Sequence, residues 1–372
     1  MKTKLDKYFR ISQRGSTIGT ELIGGATTFA TMAYILAYMT GAMSAVPGID
    51  LTGVLLCTAL ITAISCIAMG LVANAPIALA PVLVIPNLVA GMVASGEATY
   101  GQAFGTVAIS GIVFLLISVF KLRDLFARSL PKNIKIGIGG AVGLLIASIG
   151  LNTSGLAAAG EDGSFINFSD KSVQLGLIGL AIALLLTYLK ITVNGRTYKI
   201  KGALLISIVL TTIIGIPMGV TVLPENIFTR GALASIGNVA FQVDILGALK
   251  LSFVPFIIML LINDFFGTLG TGLAMAGKAG LLDEDGNFPA FGKVFLVDSS
   301  ATILGSLFGI TTVSCFAESA AGVESGSRTG LSNLSTAFFF LLCMLFSPLF
   351  LMIPGAATGS ALIVVGISML ET

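Results

Sequence analysis

The 372-residue chain contains no histidine and no tryptophan, only four cysteines, and charged residues at 10% of its positions. Without histidine there is no side chain that naturally titrates near neutrality, so any proton relay has to run through carboxylates, cysteine, tyrosine or water. There is no HExxH, no GxSxG and no paired His/Cys ligand set, and carboxylates alone do not make an enzyme. Cys57, Cys66, Cys315 and Cys343 fall in apolar segments outside any CxxC pair, which excludes a metal site or disulfide framework read from spacing. Missing tryptophan weakens the usual aromatic belt and leaves tyrosine and snorkelling Lys/Arg as interfacial anchors. The net charge of +2 carries no footprint of nucleic-acid binding.

What is present is apolar surface and glycine. Hydrophobic residues make up 55% of the chain and glycine occupies 45 positions, with a mean hydropathy of +1.01. A soluble domain is nearer a quarter charged, so the composition belongs to a membrane protein. Glycine at this density fits tight helix contacts and broken helices. Roughly 20 apolar residues cross the hydrocarbon core. By that criterion about twelve segments qualify: 20–46, 51–73, 76–95, 104–121, 134–151, 173–190, 202–218, 246–276, 293–309, 311–323, 331–353 and 355–370. The N-terminal MKTKLDKYFRISQRGS is basic and amphipathic and leads into a span too long for a signal-peptide core, so it reads as a cytoplasmic tail.

Two of these segments are irregular. The third carries prolines at 76, 81 and 86, and the tenth, TTVSCFAESAAGV, is too short to span as a helix. A pair of interrupted spans in corresponding positions is the best sequence pointer to a transporter site. They lie seven spans apart, which predicts an inverted repeat of seven spans each. An odd-numbered unit must invert its copy, because the copy starts on the opposite side of the membrane. Unwound backbone at that depth is tolerated only against protein or a wet cavity. Half-helix N-termini there present free N–H groups to a polar substrate.

The charges agree with this count. With the N-terminus inside, seventeen basic residues fall on the inner side, and only Lys171, Arg230 and Lys250 fall outside. The inner loop 277–292 carries DEDGN at 283–287, which lacks the ligand spacing of a calcium loop and reads as a solvated turn.

The functional candidates are the acids inside apolar segments, since an intramembrane carboxylate needs a partner, a proton or a wet cavity. Asp264 precedes Thr268 by one helical turn on the same face; it contacts substrate or coupling ion, or only ties spans 8 and 1 together. Glu318 lies among Ser314, Cys315 and Ser319 in the short span; it contacts substrate or proton, or is satisfied by backbone amides. Asp298, followed by two serines, is a proton carrier, an interhelical tie or an N-cap. Glu21, at the start of span 1, reads as an interfacial or helix-start acid. Phe316 either stacks on a planar ligand or packs in the core.

With these motifs laid out, ELIGGATTFATMAYILAY (21–38), NAPIALAP (74–81), AGLLDEDG (279–286), VDSSATILGSLFG (297–309) and ESAAGVESGSRTGL (318–331) make the chain resemble the azaguanine-type purine permeases of the nucleobase–ascorbate transporter superfamily. The resemblance implies an all-α polytopic fold of fourteen spans in two inverted repeats of seven, with broken spans 3 and 10. A core domain (20–125 and 246–345) would move against a gate domain (126–245, with its second half starting at 346–372), following a tail at 1–19; spans 13 and 14 are then expected to be missing. It further implies that Asp264 and Glu318 hydrogen-bond the nucleobase, with Thr268, Ser314, Phe316, Ala317 and Phe29 around it, and that Asp298, Glu318 and Asp264 handle the coupling proton. The chain departs from the family pattern at Gly267, Met39-Thr40, Val82–Asn87 and Cys315-Phe316, all in the expected binding region.

The reading is thus a secondary active importer of a purine or related planar heterocycle in a bacterial inner membrane, multi-pass with its N-terminus cytoplasmic. It would use no cofactor beyond a coupling ion, expected to be H+. Its partners would be the nucleobase, the lipid bilayer and, by analogy, a second copy in a homodimer. The alternatives are an anion transporter of the same fold, or a truncated, non-transporting receptor or regulator.

Overall fold

A computed structural model describes residues 4–120, 143–144, 146–157, 168–193, 196–200, 202–284 and 288–370. Parts of the fifth predicted span, residues 158–167 of loop 152–172 and the end of the DEDGN turn fall outside these. Six described helical stretches are long and apolar enough to cross a membrane: Ile18–Met43, Leu51–Ala73, Tyr100–Val119, Lys171–Tyr188, Leu251–Lys278 and Leu331–Leu351.

The first stretch is two helices, α1 (Ile18–Met32) and α2 (Tyr34–Met43), separated at Ala33. The interruption follows two threonines whose hydroxyls bond back into the preceding turn, Thr27 to the Ile23 carbonyl at 2.9 Å and Thr31 to the Thr28 carbonyl at 2.8 Å. Such back-bonding competes with the helical ladder and bends helices. Next come α3 (Leu51–Ala68), closed by a π-helical turn at Met69–Ala73, strand β1 (Leu79–Pro81), α4 (Ile85–Ala94) and α5 (Tyr100–Val119). After α6 (Lys171–Tyr188), a hairpin of β2 (Lys190–Val193) and β3 (Arg196–Lys199) leads to α7 (Ala203–Met218). The second half carries α8 (Val254–Lys278), α9 (Phe291–Leu307), β4 (Val313–Cys315), α10 (Ser319–Glu324), α11 (Leu331–Cys343), α12 (Ser347–Leu351) and α13 (Gly355–Leu370).

Acids at the loop ends of helices act as caps, because the first turn of a helix leaves N–H groups unpaired. Asp50 accepts from Gly53 N–H at 3.0 Å, Asp170 from Ser172 at 2.7 Å and Asp244 from Gly247 at 2.8 Å. The Asp244 cap corrects a predicted boundary. Residues 246–276 are not one span, since Asp244 starts a separate short helix, Ile245–Ala248, and α8 begins only at Val254. Burial would push the Asp50 carboxyl up, but hydrogen bonds from the Asn238 side chain and the Gly53 N–H outweigh it and hold Asp50 below the ordinary carboxylate value.

Two packing groups follow from the contacts. Helices α6, α7 and α13 lie against one another, while α3 packs on α2 and α11, α9 on α5, and α1 on α10 and α11. Close approach depends on glycine where backbones touch. A Cβ at Gly70 would meet the Gly330 carbonyl, and one at Gly25 the Ser332 carbonyl, so both contacts exclude any side chain. α12 packs on α2 and α3.

The N-terminal segment crosses the ends of these helices. Arg14 donates to the carbonyls of Asn74 at 2.6 Å and Arg328 at 3.0 Å, and the Asn74 side chain, on a left-handed backbone (φ 48), links Phe9 O to Gly330 N–H. Burial lowers the Arg14 guanidinium below its ordinary value, helped by Arg10 and opposed by Glu21. Glu21 is wholly buried and accepts from the N–H groups of Arg328 at 2.8 Å and Thr329 at 3.2 Å. It therefore caps backbone leading into α11 rather than its own helix.

Candidate functional site

The two irregular segments meet. β1 and β4 run antiparallel, with Leu79 opposite Cys315, Ala80 opposite Ser314 and Pro81 opposite Val313. The expectation of an all-α chain is corrected here: an interrupted span needs extended backbone, and two such stretches satisfy each other's N–H and C=O groups. Val82 N–H donates to Thr312 O and Phe316 N–H to Ala78 O, both at 2.9 Å. Pro81 sits where the ladder needs no donor from it. The flanks are also closed: Ala78 N–H donates to the Ser319 hydroxyl at 2.9 Å, and the Asn333 amide donates to Ala75 O and Ile77 O at 3.0 and 2.8 Å.

Behind β4, α8 and α9 present the same spacing, an aspartate followed four residues later by a threonine. Antiparallel packing pairs them reciprocally. The Thr302 hydroxyl lies 2.7 Å from Asp264 Oδ2, and the Thr268 hydroxyl donates to Asp298 Oδ2. Ser314 of β4 joins through a 2.8 Å hydroxyl contact with Thr268. Thr302 also lies 3.0 Å from Val313 O and 3.1 Å from Val313 N, so the cluster is fastened to the strand. Asp264 and Asp298 are both 0% exposed, and Oδ1 of each has no hydrogen-bond partner.

Glu318 lies beyond the other end of β4 and is half-buried, next to exposed Ala317. The Tyr34 hydroxyl donates to its Oε1 at 2.6 Å, the carboxylate also meets its own backbone N–H, and the Thr31 hydroxyl lies 3.2 Å from its carbonyl.

The structure thus brings Asp264, Thr268, Asp298 and Ser314 together and sets Glu318 and Ala317 apart from them. Three placements are specific. Asp264, expected to meet the substrate or the coupling ion or to tie spans 8 and 1 together, is buried, and the Thr302 hydroxyl 2.7 Å from its Oδ2 ties α8 to α9. Asp298 is not an N-cap, since its helix starts seven residues earlier at Phe291. Phe29 turns toward α11 and stacks with Phe339 at 5.3 Å between ring centres. Phe316 is buried among core side chains. The cysteines at 57, 66, 315 and 343 are free and buried.

Tyr34 and Thr302 were not among the predicted site residues. A signal existed for Thr302, which stands at the same i, i+4 spacing from Asp298 as Thr268 from Asp264. A phenol in the middle of an apolar span also needs a partner, although sequence does not say that Tyr34 finds it 284 residues away.

Comparison with known proteins gives the family. Residues 19–371 match the family described as "Permease family", the xanthine/uracil permease type. The chain is 33% identical over 371 residues to adenine permease AdeP of Escherichia coli K12, covering 98% of this chain and 80% of that protein. It is 33% identical over 374 residues to guanine/hypoxanthine permease GhxP of Escherichia coli O157:H7, covering 99% and 81%. Among solved structures, the transmembrane domain of the cyanobacterial bicarbonate transporter BicA superposes with a TM-score of 0.71 at 19% identity, over 95% of this chain and 88% of that one, which is a likeness of fold.

Proposed function

The chain belongs to the xanthine/uracil permease family of multi-pass membrane permeases, and from that premise we propose that it is a secondary active transporter importing a purine nucleobase with protons. The observation that carries the reading is Glu318, a half-buried carboxylate at the end of an unwound strand, with the small side chain of Ala317 exposed beside it. A purine edge presents N–H donors, and a carboxylate accepts them with charge-assisted bonds. A base without the donor would leave that carboxylate unpaired, so the same group supports selectivity.

The coupling ion belongs, in this reading, to Asp264 and Asp298. Two wholly buried carboxylates with an orphan oxygen each, and in no ion pair among the described residues, are untenable as a doubly charged pair at membrane depth. A positive charge taken from solution relieves this, and a proton needs no further ligands. The seam connects the two places: β4 carries Ser314 toward the aspartates and ends just before Glu318. Alternating access would move the body containing the seam against the group α6, α7 and α13, with two inverted repeats and the N-terminus on the cytoplasmic side. Anion transport on the same fold has nothing comparable to support it, because the polar side chains at the seam are acids, hydroxyls and amides.

The test is thermal stabilisation of the purified chain by adenine, guanine, hypoxanthine, xanthine, uracil, bicarbonate and sulfate. A ligand that binds the folded state raises its apparent stability with the logarithm of its excess over Kd. Stabilisation by a purine and its loss in Glu318→Gln is the expected result. Stabilisation by an anion alone would overturn the reading.

A further inference from the structure

The segment ahead of α1 is tied down on one side and open on the other. Its tied side holds the ends of both broken spans. The Tyr8 hydroxyl donates to the Leu71 carbonyl at 2.8 Å, in the π-helical turn that leads toward β1. Asn74 links Phe9 to Gly330, and Arg14 reaches both Asn74 and Arg328. Arg328 and Gly330 lie just after α10, which follows β4. A helix end leaves its last carbonyls unpaired, and Tyr8 and Arg14 supply donors to two of them from outside the helix.

The open side is apolar and basic. The short helix Lys4–Phe9 places Leu5 and Tyr8 three residues apart on one face, with Lys4 and Lys7 on the face beside it. Phe9 is buried against Ile11 and Leu331 and fixes the helix by one edge. Leu5 remains 44% exposed and Tyr8 56%, and Lys4, Lys7 and Arg10 are exposed as well. Asp6, the one acid of the first twenty residues, is half-buried and accepts from the N–H and hydroxyl of Ser12 at 2.8 Å each. Through its bond to Leu71, Tyr8 stands beside the end of α3, where Leu71 and Val72 are themselves exposed on the outside of a span. The apolar face of the tail is therefore continuous with the surface that α3 offers to lipid.

An apolar stripe bordered by lysine and arginine suits a helix lying in the interfacial plane, with its stems among acyl chains and its cations at headgroup phosphates. A zwitterionic headgroup cancels most of that attraction, whereas a headgroup of net negative charge does not. We propose that residues 4–10 form a binding surface for anionic phospholipid headgroups, with Leu5 and Tyr8 among the acyl chains and Lys4, Lys7 and Arg10 on the phosphates. Through Tyr8, Asn74 and Arg14 the same segment fastens the ends of the two broken spans, so lipid charge bears on the seam from its flank. This surface is independent of which solute the chain carries.

The absence of tryptophan makes the test direct. Tyr8→Trp gives the full chain one indole, whose N–H can still donate to Leu71. The protein is reconstituted in bilayers of phosphatidylcholine and phosphatidylglycerol, with brominated acyl chains on one lipid or the other. Both are expected to quench the indole, and brominated phosphatidylglycerol to do so with an apparent affinity higher by about fivefold or more, the scale of one basic residue at an anionic surface. Raised salt should shrink the preference, because exposed charges are screened. Adding Lys4→Gln, Lys7→Gln and Arg10→Gln should abolish it; the salt series needs no further variant, so its outcome does not depend on how that one folds. Equal quenching by the two lipids, a preference untouched by salt, or one that survives the triple substitution overturns the assignment. An unquenched, water-like emission does so too, since it puts residue 8 outside the bilayer. Inorganic phosphate added to phosphatidylcholine bilayers should leave the emission unchanged; a response matching that to phosphatidylglycerol would make this a site for free phosphate and overturn the lipid assignment.

Discussion

Glu318 and the Asp264/Asp298 pair raise the same alarm in the sequence, an acid where lipid should be, and the fold answers them in opposite ways. The aspartates are closed off entirely and carry their own hydroxyl donors on the facing helix. Glu318 is left half-open and is steadied by a phenol from a third helix. A group that must meet a molecule needs one side free and the other fixed. A group that need only take up and release a small cation can be walled in. It is on this contrast, and not on residue type, that the proposed division of work between the two sites rests, since all three are carboxylates.

The sharpest way to break this comparison is to neutralise each acid in turn. Glu318→Gln should lose purine-dependent stabilisation altogether, whereas Asp264→Asn should keep most of it; equal loss in both would erase the distinction. The next effect is on coupling. Asp298→Asn should still bind base but show uptake, in membrane vesicles, that no longer responds to an imposed pH gradient, because an amide cannot carry the proton. A variant that keeps a full response would move the coupling step elsewhere. Smaller again, Thr268→Val and Thr302→Val each strip a buried carboxylate of its donor and should cost about 1–3 kcal/mol, read as a lower apparent Tm, with serine at either position restoring most of it. The smallest effect lies outside the membrane. Asp50 is held below the ordinary carboxylate value, so its stabilising contribution is complete above about pH 3.9 and is lost as pH falls through the lower folded value. Asp50→Asn should therefore lower the neutral plateau of a Tm-against-pH curve slightly and flatten its acid limb by the same amount.

Part of the architecture is legible in the sequence alone. Prolines 76, 81 and 86 and the shortness of 311–323 marked both interrupted segments, because proline and chain length act locally. Asp264 and Thr268 could be put on one face by spacing alone. Their partners could not, since helix periodicity says which residues share a face but not which other helix it meets. Tyr34 with Glu318, and Tyr38 with Asn87, are pairs of that kind. Hydropathy also overran the start of the eighth span, because an apolar stretch reads the same whether or not Asp244 caps a separate turn within it.

The three-pair strand seam has a consequence of parity. Alternate residues of a strand face opposite ways, so sliding β4 past β1 by one position would exchange every inward side chain for an outward one. Ser314 would leave Thr268, and Thr302, which touches both the N–H and the C=O of Val313, would lose its hold. A slip by two would restore the facing but leave one pair of the three. The strand therefore has no neighbouring position to fall into, and motion at this seam has to be all or nothing: the crossing point travels whole, with its acids, or it stays where it is.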